Sequence, residues 1–332
     1  MKRNRRALII GAAVSIAVGL ALCATAYALV GGDLSKLSTT PAYEEKSVSY
    51  SADTLTAVSL LDRNTSVRLE PSGDQEIHIT YFENMAEEYY CSVSAGELRI
   101  EKIEQGGWLD RVGLNFHFQD TTVVIEVPQH YAGSISLNTT NALVTVTDLD
   151  LQDDLSVQTT NNGIQVRTVS CAGEFQAQTS NGKVALDQVT AASVKAGTSN
   201  HSIHATEIET VGDCVLTTSN GEIFLDGIQS DRLTAQSSNH GLQVNDIVTQ
   251  GMLELRTTNG PIHIEQVLPG QAIEMVTTNG DIEGTVCDRL EQYHIDSGTT
   301  NGDSNLPKSY RGGSKSLVAR TTNGNIAIDF LA

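Results

Sequence analysis

A repeat of about twenty residues runs from about residue 131 to residue 332 and constrains the fold more than any other feature. Its fixed point is an asparagine that recurs every 19 to 22 residues. With such a period each repeat is one structural unit, so the architecture depends on how the units stack. The asparagines are Asn141, Asn161, Asn181, Asn200, Asn220, Asn239, Asn259, Asn279, Asn301 and Asn323.

Alignment on this asparagine produces apolar columns on both sides of it. Ile135 and Leu233 exemplify the column six positions before it, and Ile164 the column three positions after it. Side chains alternate between the faces of a strand, so the even offsets before the asparagine and the odd offsets after it each share one face. The change of parity requires a corner at the asparagine, and a second change at offset eight requires another. Each repeat is predicted to hold two or three short strands around one interior.

Two arrangements of such strands are conceivable. Hairpins with Asn-Gly turns need positive φ after the asparagine, yet four repeats have Ala142, Asn162, His201 or His240 there. Alanine is poor at positive φ, and antiparallel neighbours would pair different positions of the repeat. A parallel solenoid instead stacks equal positions about 4.8 Å apart. The sequence therefore predicts an all-β protein, a parallel β-solenoid (β-helix) of about ten coils of 19–22 residues.

The asparagine column is expected to form a structural ladder. An asparagine side chain offers one acceptor and two donor hydrogens, so at an inward-facing corner it could bond the asparagine of the next coil. On this interpretation Asn259 and Thr257 face inward, Thr258 faces outward, and the glycine that often follows, such as Gly260, is optional. Asn259→Ala is then expected to lower stability more than Gly260→Ala.

The N-terminus differs from the rest of the chain. Four basic residues within positions 1–6 precede an uncharged apolar stretch over 7–30, which is long enough to cross a bilayer as one helix. The pattern predicts a cytoplasmic N-terminus, a transmembrane signal-anchor helix over 7–30 and an extracytoplasmic remainder. Cleavage after Ala26-Tyr27-Ala28, which would release a secreted protein, stays open.

Three further regions follow this helix. Residues 31–46 are predicted to be a polar stalk, because they combine Gly, Ser, Thr and Pro with little apolar content. Residues 47–130 alternate apolar and polar residues, which indicates either the first strands of the solenoid or a β cap. Residues 131–332 form the repeat solenoid.

The charge of the chain excludes one class of partner. Without the four basic residues near the N-terminus, 17 Lys and Arg stand against 40 Asp and Glu, a net charge of −23. Such a surface repels nucleic acid. No nucleic-acid partner is therefore expected.

Two clusters were weighed as metal sites. His201 and His240 share a column, with His204 and His263 nearby, but a two-coil separation of about 9.6 Å is too long for one zinc ion. The acidic run over 148–154 has no glycine-rich calcium-binding repeat beside it. Neither a metal nor a cofactor is predicted.

An enzyme acting on polysaccharides is the catalytic alternative, because some parallel β-helices cleave glycans. Glycoside hydrolysis needs two apposed carboxylates, and no acidic or basic column persists on an outward face. The single tryptophan, Trp108, leaves few aromatic rings for stacking sugars. No catalytic residue is predicted, and the protein is not expected to be an enzyme.

The cysteines are scattered. Cys214 and Cys287 occupy apolar columns and are expected to be small buried hydrophobes. They belong to coils three apart, about 14 Å along the axis, so no disulfide between them is expected. The pattern makes no prediction for Cys91 and Cys171.

The stretch "TTVVIEVPQHYAGSISLNTTNALVTVTDL", followed by repeated Thr-(Ser/Thr)-Asn-Gly units behind an N-terminal anchor, resembles the bacterial adhesin-like domain family, whose biochemical function is unknown. The resemblance covers roughly residues 47 to 332. It implies a β-solenoid at the cell surface, and it transfers no binding residue.

The resulting hypothesis is a membrane-anchored, extracytoplasmic and non-catalytic adhesion or interaction module of the cell envelope, with an envelope protein or glycan as partner. One alternative is a self-assembling scaffold or an envelope-stress accessory protein. Self-association is expected through the coil from Asn323 to Ala332, because no polar cap follows it and an uncovered edge can recruit another chain.

Overall fold

The computed structural model describes residues 2–33, 36, 42–104 and 119–331. Parts of the predicted stalk, and Trp108, lie outside these residues. The chain divides into two compact units. The first comprises residues 1–45, 82–88 and 104–121, and the second comprises 46–81, 89–103 and 122–332.

The first unit contains one long helix, α1 (Lys2–Leu29). Its segment Ile10–Leu29 has a mean hydropathy of 2.0 and is not buried against the protein. A helix of this length and composition is compatible with a membrane anchor and equally with a signal sequence. Elsewhere in this unit, Tyr43 donates a hydrogen bond of 3.0 Å to Glu87.

Nearly all the strands belong to the second unit, in which two short 3₁₀ helices (Ala52–Thr54 and Leu290–Gln292) also occur. The strands before the repeats are β1 (Glu44–Ser51), β2 (Ala57–Leu61), β3 (Val67–Pro71), β4 (Glu76–Glu83), β5 (Glu87–Ser94), β6 (Glu97–Glu104) and β7 (Val123–Val127). The strands of the repeats are β8 (Ser134–Asn138), β9 (Val144–Leu151), β10 (Leu155–Gln158), β11 (Ile164–Gln178), β12 (Val184–Thr198), β13 (Ile203–Thr210), β14 (Asp213–Thr218), β15 (Ile223–Ser230), β16 (Arg232–Gln236), β17 (Leu242–Thr249), β18 (Met252–Arg256), β19 (Ile262–Pro269), β20 (Ala272–Val276), β21 (Ile282–Val286), β22 (Tyr293–Gly298), β23 (Ser309–Arg311), β24 (Lys315–Arg320) and β25 (Ile326–Phe330).

Most of these strands stack into two parallel sheets, and the prediction of a parallel β-solenoid is confirmed. Sheet A holds the strands that precede each corner asparagine, in the order β6, β2, β8, β10, the second halves of β11 and β12, β14, β16, β18, β20, β24 and β22. Sheet B holds the strands that follow it, in the order β7, β3, β9, the first halves of β11 and β12, β13, β15, β17, β19, β21 and β25.

The apolar columns fill the space between the sheets. In one coil, Leu253 and Leu255 of sheet A and Ile262, Ile264 and Val267 of sheet B are all fully buried. Even offsets before the asparagine and odd offsets after it therefore do face one interior. Burial of each such aliphatic side chain contributes about 1.5–3 kcal/mol, which makes the stacked columns the main source of stability.

The region before the repeats contributes coils of its own. Strands β2 and β3 pair in parallel with β8 and β9, and β6 and β7 stack outside them. Strand β4 then runs antiparallel to β7 and closes that edge.

The order of coils at the C-terminal end departs from the order in the sequence. Strand β24 pairs with β20 on one side and with β22 on the other. The coil formed by β24 and β25 therefore fills a slot inside the stack, and the earlier coil around β22 lies outside it. The prediction that Asn323 to Ala332 forms an uncovered last coil was wrong, because this coil is hydrogen-bonded on both sides.

The outer coil also carries its own closure. Strand β23 pairs antiparallel with β22. In sheet B, the Asn305 side chain accepts a hydrogen bond from the Ile328 amide and donates one to the Ile328 carbonyl, each at 3.0 Å. This side chain thus occupies the backbone groups through which β25 would pair with another strand.

Candidate functional site

The corner asparagines line up on the outside of the solenoid. Each Nδ2 donates to the Oδ1 of the neighbouring coil at 2.6–3.0 Å, as from Asn259 to Asn239 and from Asn279 to Asn259. The side chains are exposed, so the prediction that they face inward was wrong. The chain turns at the asparagine itself, and it is the residue two positions earlier that points into the core. Each asparagine in the ladder accepts a hydrogen bond from the next one in the order Asn64, Asn141, Asn161, Asn181, Asn200, Asn220, Asn239, Asn259, Asn279, Asn323 and Asn301.

Asn64 begins this ladder and was missed by the sequence reasoning. Its Oδ1 accepts a hydrogen bond from Asn141 at 2.7 Å. The signal was present, because Val58 and Leu60 precede Asn64 at the apolar offsets and Val67 follows it. The buried residue two positions before it is Asp62, where the repeats have threonine or serine, and this substitution concealed the match.

The buried threonine and serine column joins successive coils from inside. Its hydroxyls donate to the carbonyl of the residue that follows the asparagine in the adjacent coil, as from Thr257 to His240 and from Thr277 to Gly260 at 2.8 and 2.9 Å. The same contact recurs along the stack. These bonds satisfy carbonyls that a corner would otherwise leave buried without a partner.

The glycine after the asparagine is required by close packing. A Cβ atom at Gly182, Gly221, Gly260 or Gly280 would come within 3.0 Å of backbone atoms in the preceding coil. The expectation that this glycine is optional was therefore wrong at these positions.

A second corner lies seven positions after the asparagine in seven of the coils and adopts a left-handed backbone. Here φ lies between 50° and 69° in seven consecutive coils. This conformation is uncommon for residues other than glycine, and it bends the strand so that residues +8 again point inward. The seven residues are Asp148, Thr168, Gln188, Glu207, Gly227, Asp246 and Gln266.

This row of bends produces a groove along the stack, which we call the acidic groove. Its volume is about 820 Å³. It is lined by residues seven and nine positions after the asparagine, and five of these are carboxylates: Asp148, Asp150, Glu207, Glu209 and Asp246. Its lining contains no Lys or Arg among the residues that the structure describes. Its electrostatic character is therefore negative over six coils.

The polar side chains in the groove are partly connected. Thr168 donates to Gln188 at 3.2 Å, and Gln188 donates to Glu207 at 2.8 Å. At one end of the groove, His130 lies 2.9 Å from Asp150. The groove floor is thus ordered by contacts between coils, while Asp148 and Asp246 are exposed.

The four histidines considered as metal ligands have other contacts. His204 lies against Phe224 with ring centroids 5.7 Å apart, and burial together with Lys183 lowers the pKa of its imidazole. His263 lies 3.4 Å from Glu283. Within the described parts of the chain, no three His, Cys, Asp or Glu side chains come together as a metal site.

The remaining acidic residues of the run over 148–154 have structural contacts. Asp154 accepts a hydrogen bond from the Glu174 amide at 2.7 Å, and Asp153 accepts one from the Asp154 amide. These bonds fix the connection between coils, away from the lining of the groove.

The cysteines divide into two classes. Cys171 and Cys214 are buried, and burial raises the pKa of each thiol to about 12. They are therefore protonated near neutral pH and poor nucleophiles. Cys287 was predicted to be buried but is partly exposed. The register shifts between Ile264 and Val267, so Val286 takes the inward place.

The groove was not foreseen from the sequence. Its lining positions hold Asp, Glu, Thr, Ser, Gln and Gly without a constant type, so they form no recognisable column. The available signal was the change from odd to even apolar offsets at the eighth position after the asparagine. This change requires a corner but does not indicate that the corner is concave.

The family model described as Toastrack DUF4097 matches residues 56–329, well over half of the chain. No curated protein matches. Among solved structures, a candidate cell adhesion protein from Clostridium sporogenes is similar at 10% identity, covering 87% of this chain and 100% of that one, with a TM-score of 0.24. A candidate adhesin from Bacteroides fragilis matches at 12% identity, over 87% and 99%, with a TM-score of 0.38. One from Parabacteroides distasonis matches at 13% identity, over 87% and 97%, with a TM-score of 0.32. We draw no functional inference from similarities this low.

Proposed function

The chain belongs to the Toastrack DUF4097 family, and from that premise we propose that it is a non-catalytic adhesion or interaction module of the cell envelope that binds a partner in the acidic groove. The observation that carries the proposal is the groove itself. It extends over six coils, is built from a regular backbone bend and keeps one sign of charge.

The geometry favours binding over catalysis. Among the residues that the structure describes, the only imidazole in the groove lining belongs to His130, which is paired with Asp150 at one end. A nucleophile–base pair would instead need a hydroxyl or thiol within hydrogen-bond reach of that imidazole. The buried thiols cannot supply it, because their raised pKa keeps them protonated.

The N-terminal helix supports the placement at the envelope. We propose that α1 anchors the chain in the membrane with its basic end in the cytoplasm, so that the solenoid is displayed outside. Cleavage of α1 would instead release the same binding surface as a secreted protein.

The scaffold alternative is less well supported than the sequence suggested. The coil that was expected to recruit another chain is internal, and β4, β23 and Asn305 cover the outer strands β7, β22 and β25. We therefore place the interaction on the side of the solenoid and not at its ends.

The proposal can be tested by filling the groove. Thr190 lines the groove and its side chain is exposed, so Thr190→Trp would obstruct it. Ser136 is exposed on sheet A, and Ser136→Trp serves as the control. Full-length protein in neutral detergent would be mixed with isolated cell envelopes and sedimented. We expect Thr190→Trp to abolish binding and Ser136→Trp to keep it, with equal melting temperatures. Equal binding by both variants would refute the groove as the binding surface.

A further inference from the structure

The acidic groove has an apolar continuation. Residues nine positions after the asparagine pair in register from Asp150 through Gln229 to Val248 and Leu268. Val248 and Leu268 leave 40% and 38% of their surface exposed. The next two coils add the partly exposed Cys287 and the exposed Leu331. The Cys287 amide donates to the Val267 carbonyl, and the Leu331 amide donates to the Val286 carbonyl. We call Val248, Leu268, Cys287 and Leu331 the apolar strip.

The side chains along the acidic groove and the apolar strip change in charge and polarity from coil to coil. Asp148 and Asp150 stand in the first coil, and two coils with neutral polar side chains follow. Glu207 and Glu209 stand in the fourth coil, a gap opens over Gly227, and Asp246 beside Val248 marks the change to the apolar strip. A ligand that complements this surface must itself change from cationic to apolar along its length.

We propose that the occupant of the acidic groove is an extended peptide segment of a partner protein, with spaced basic side chains followed by apolar ones. This inference rests on the proposed function, because it names the partner of the same groove. A homopolymeric glycan or a polyamine repeats one chemical unit, so it does not match a surface that changes character along its axis. A polypeptide carries both kinds of side chain in a fixed order.

The dimensions specify the peptide further. Five coil spacings separate Asp148 from Asp246, about 24 Å in total, which an extended chain covers in about seven residues. The acidic coils are separated by about 14 Å and then about 10 Å, so basic side chains would recur after about four and then about three residues. Apolar side chains would follow directly.

The test uses the full-length chain in neutral detergent and fluorescently labelled peptides. One peptide has lysines about four and then about three residues apart, followed by two leucines, as the spacing requires. A second peptide has the same composition with lysines and leucines interleaved, and oligolysine and an oligomer of glucosamine complete the set. Fluorescence anisotropy at several salt concentrations gives the affinities.

We expect the ordered peptide to bind about tenfold tighter than the interleaved one. The double variant Glu207→Gln, Glu209→Gln should weaken this binding about tenfold and reduce its salt dependence, since each exposed ion pair contributes modestly. Leu268→Ser should weaken the ordered peptide about fivefold and leave oligolysine unchanged. Glu291→Gln, an exposed carboxylate outside the groove, should change nothing.

Three results would overturn the inference. Equal binding of the two peptides would mean that charge alone is recognised, and tighter binding of the glucosamine oligomer would identify a glycan ligand. If no peptide binds while Thr190→Trp still abolishes envelope binding, the peptide inference fails and the proposed function stands. If Thr190→Trp also leaves envelope binding intact, both fail.

Discussion

Replacement of Gly260 by alanine should destabilise the solenoid more than removal of the ladder side chain beside it. Gly260 is buried at the corner after Asn259. A methyl group there would lie within 3.0 Å of the His240 carbonyl and of the Gly241 nitrogen, which are backbone atoms of the preceding coil. These atoms cannot rotate away, so the two coils must separate at this corner.

The magnitude follows from what that separation disrupts. Overpacking a close-packed interior typically costs about 1–3 kcal/mol. The hydroxyl bonds from Thr257 to His240 and from Thr277 to Gly260, at 2.8 and 2.9 Å, flank the same corner. Weakening them adds about 1 kcal/mol each. We expect Gly260→Ala to lower the free energy of unfolding by about 3–5 kcal/mol.

Asn259→Ala provides the matched comparison. Its side chain donates to Asn239 at 3.0 Å and accepts from Asn279 at 2.8 Å, but all three side chains are exposed. Water can replace both partners, so the loss should be about 1–2 kcal/mol for the two bonds. The structure thus predicts a larger loss of stability for Gly260→Ala than for Asn259→Ala, the reverse of what the sequence suggested.

Urea unfolding of full-length protein, followed by circular dichroism, measures both losses, and the dependence on urea concentration should be unchanged by either substitution. Gly298→Ala is the control, because a methyl group at Gly298 meets no atom within 4 Å. A larger loss for Asn259→Ala than for Gly260→Ala would refute the packing argument. It would mean that the outer ladder, and not the close approach of backbones, holds neighbouring corners together.

Four further outcomes are expected. Thr277→Val should cost about 1–3 kcal/mol in urea unfolding, because it leaves a buried carbonyl unbonded, whereas the exposed Thr278→Val should cost little. Cys287 should react with a thiol reagent in the native protein and Cys214 only after unfolding. Burial raises the pKa of Cys214 from 9.0 to about 12, so the unfolded thiol ionises first and stability should fall as pH rises above 9; Cys214→Ala should reduce that slope. Asn305→Ala should speed hydrogen exchange at the last strand by freeing its edge, and unchanged exchange would contradict the capping role.

The periodicity of the sequence was sufficient for the architecture and the faces of the strands. Apolar columns such as those of Leu233 and Ile262 record burial directly, so the parallel stacking follows from them. The direction of Asn259 could not be deduced in the same way. Its constancy is equally compatible with an inward and an outward ladder, because both place identical amides one coil apart.

The acidic groove depends on information that the column pattern does not contain. A left-handed bend can be built on Asp148, Thr168 or Gly227 alike, so no residue type marks it. Its concavity results from the angle between successive segments of each coil, and that angle is set by packing across the interior. The carboxylates indicate a binding surface only because the bend places the residues seven and nine positions after the asparagine along one line in six coils.

The exchanged order of the last coils has an energetic cause that the sequence does contain. A coil inside the stack needs apolar side chains at every inward position, and Leu317, Ala319 and Ile326 supply them in the coil of β24 and β25. The coil around β22 has Ser297 and Ser304 at the corresponding positions, and Ser297 is satisfied by donating to the Pro307 carbonyl at 2.9 Å. Placing this coil inside would bury hydroxyls between apolar neighbours on both sides, at a cost of about 1–3 kcal/mol for each unsatisfied group. At the end of the stack the loop that leads to β23 supplies the partner. The coil around β22, whose inward positions include serines, therefore lies at the end of the stack. The chain then passes this coil, and the more apolar coil of β24 and β25 takes the internal position beside β20 and β21.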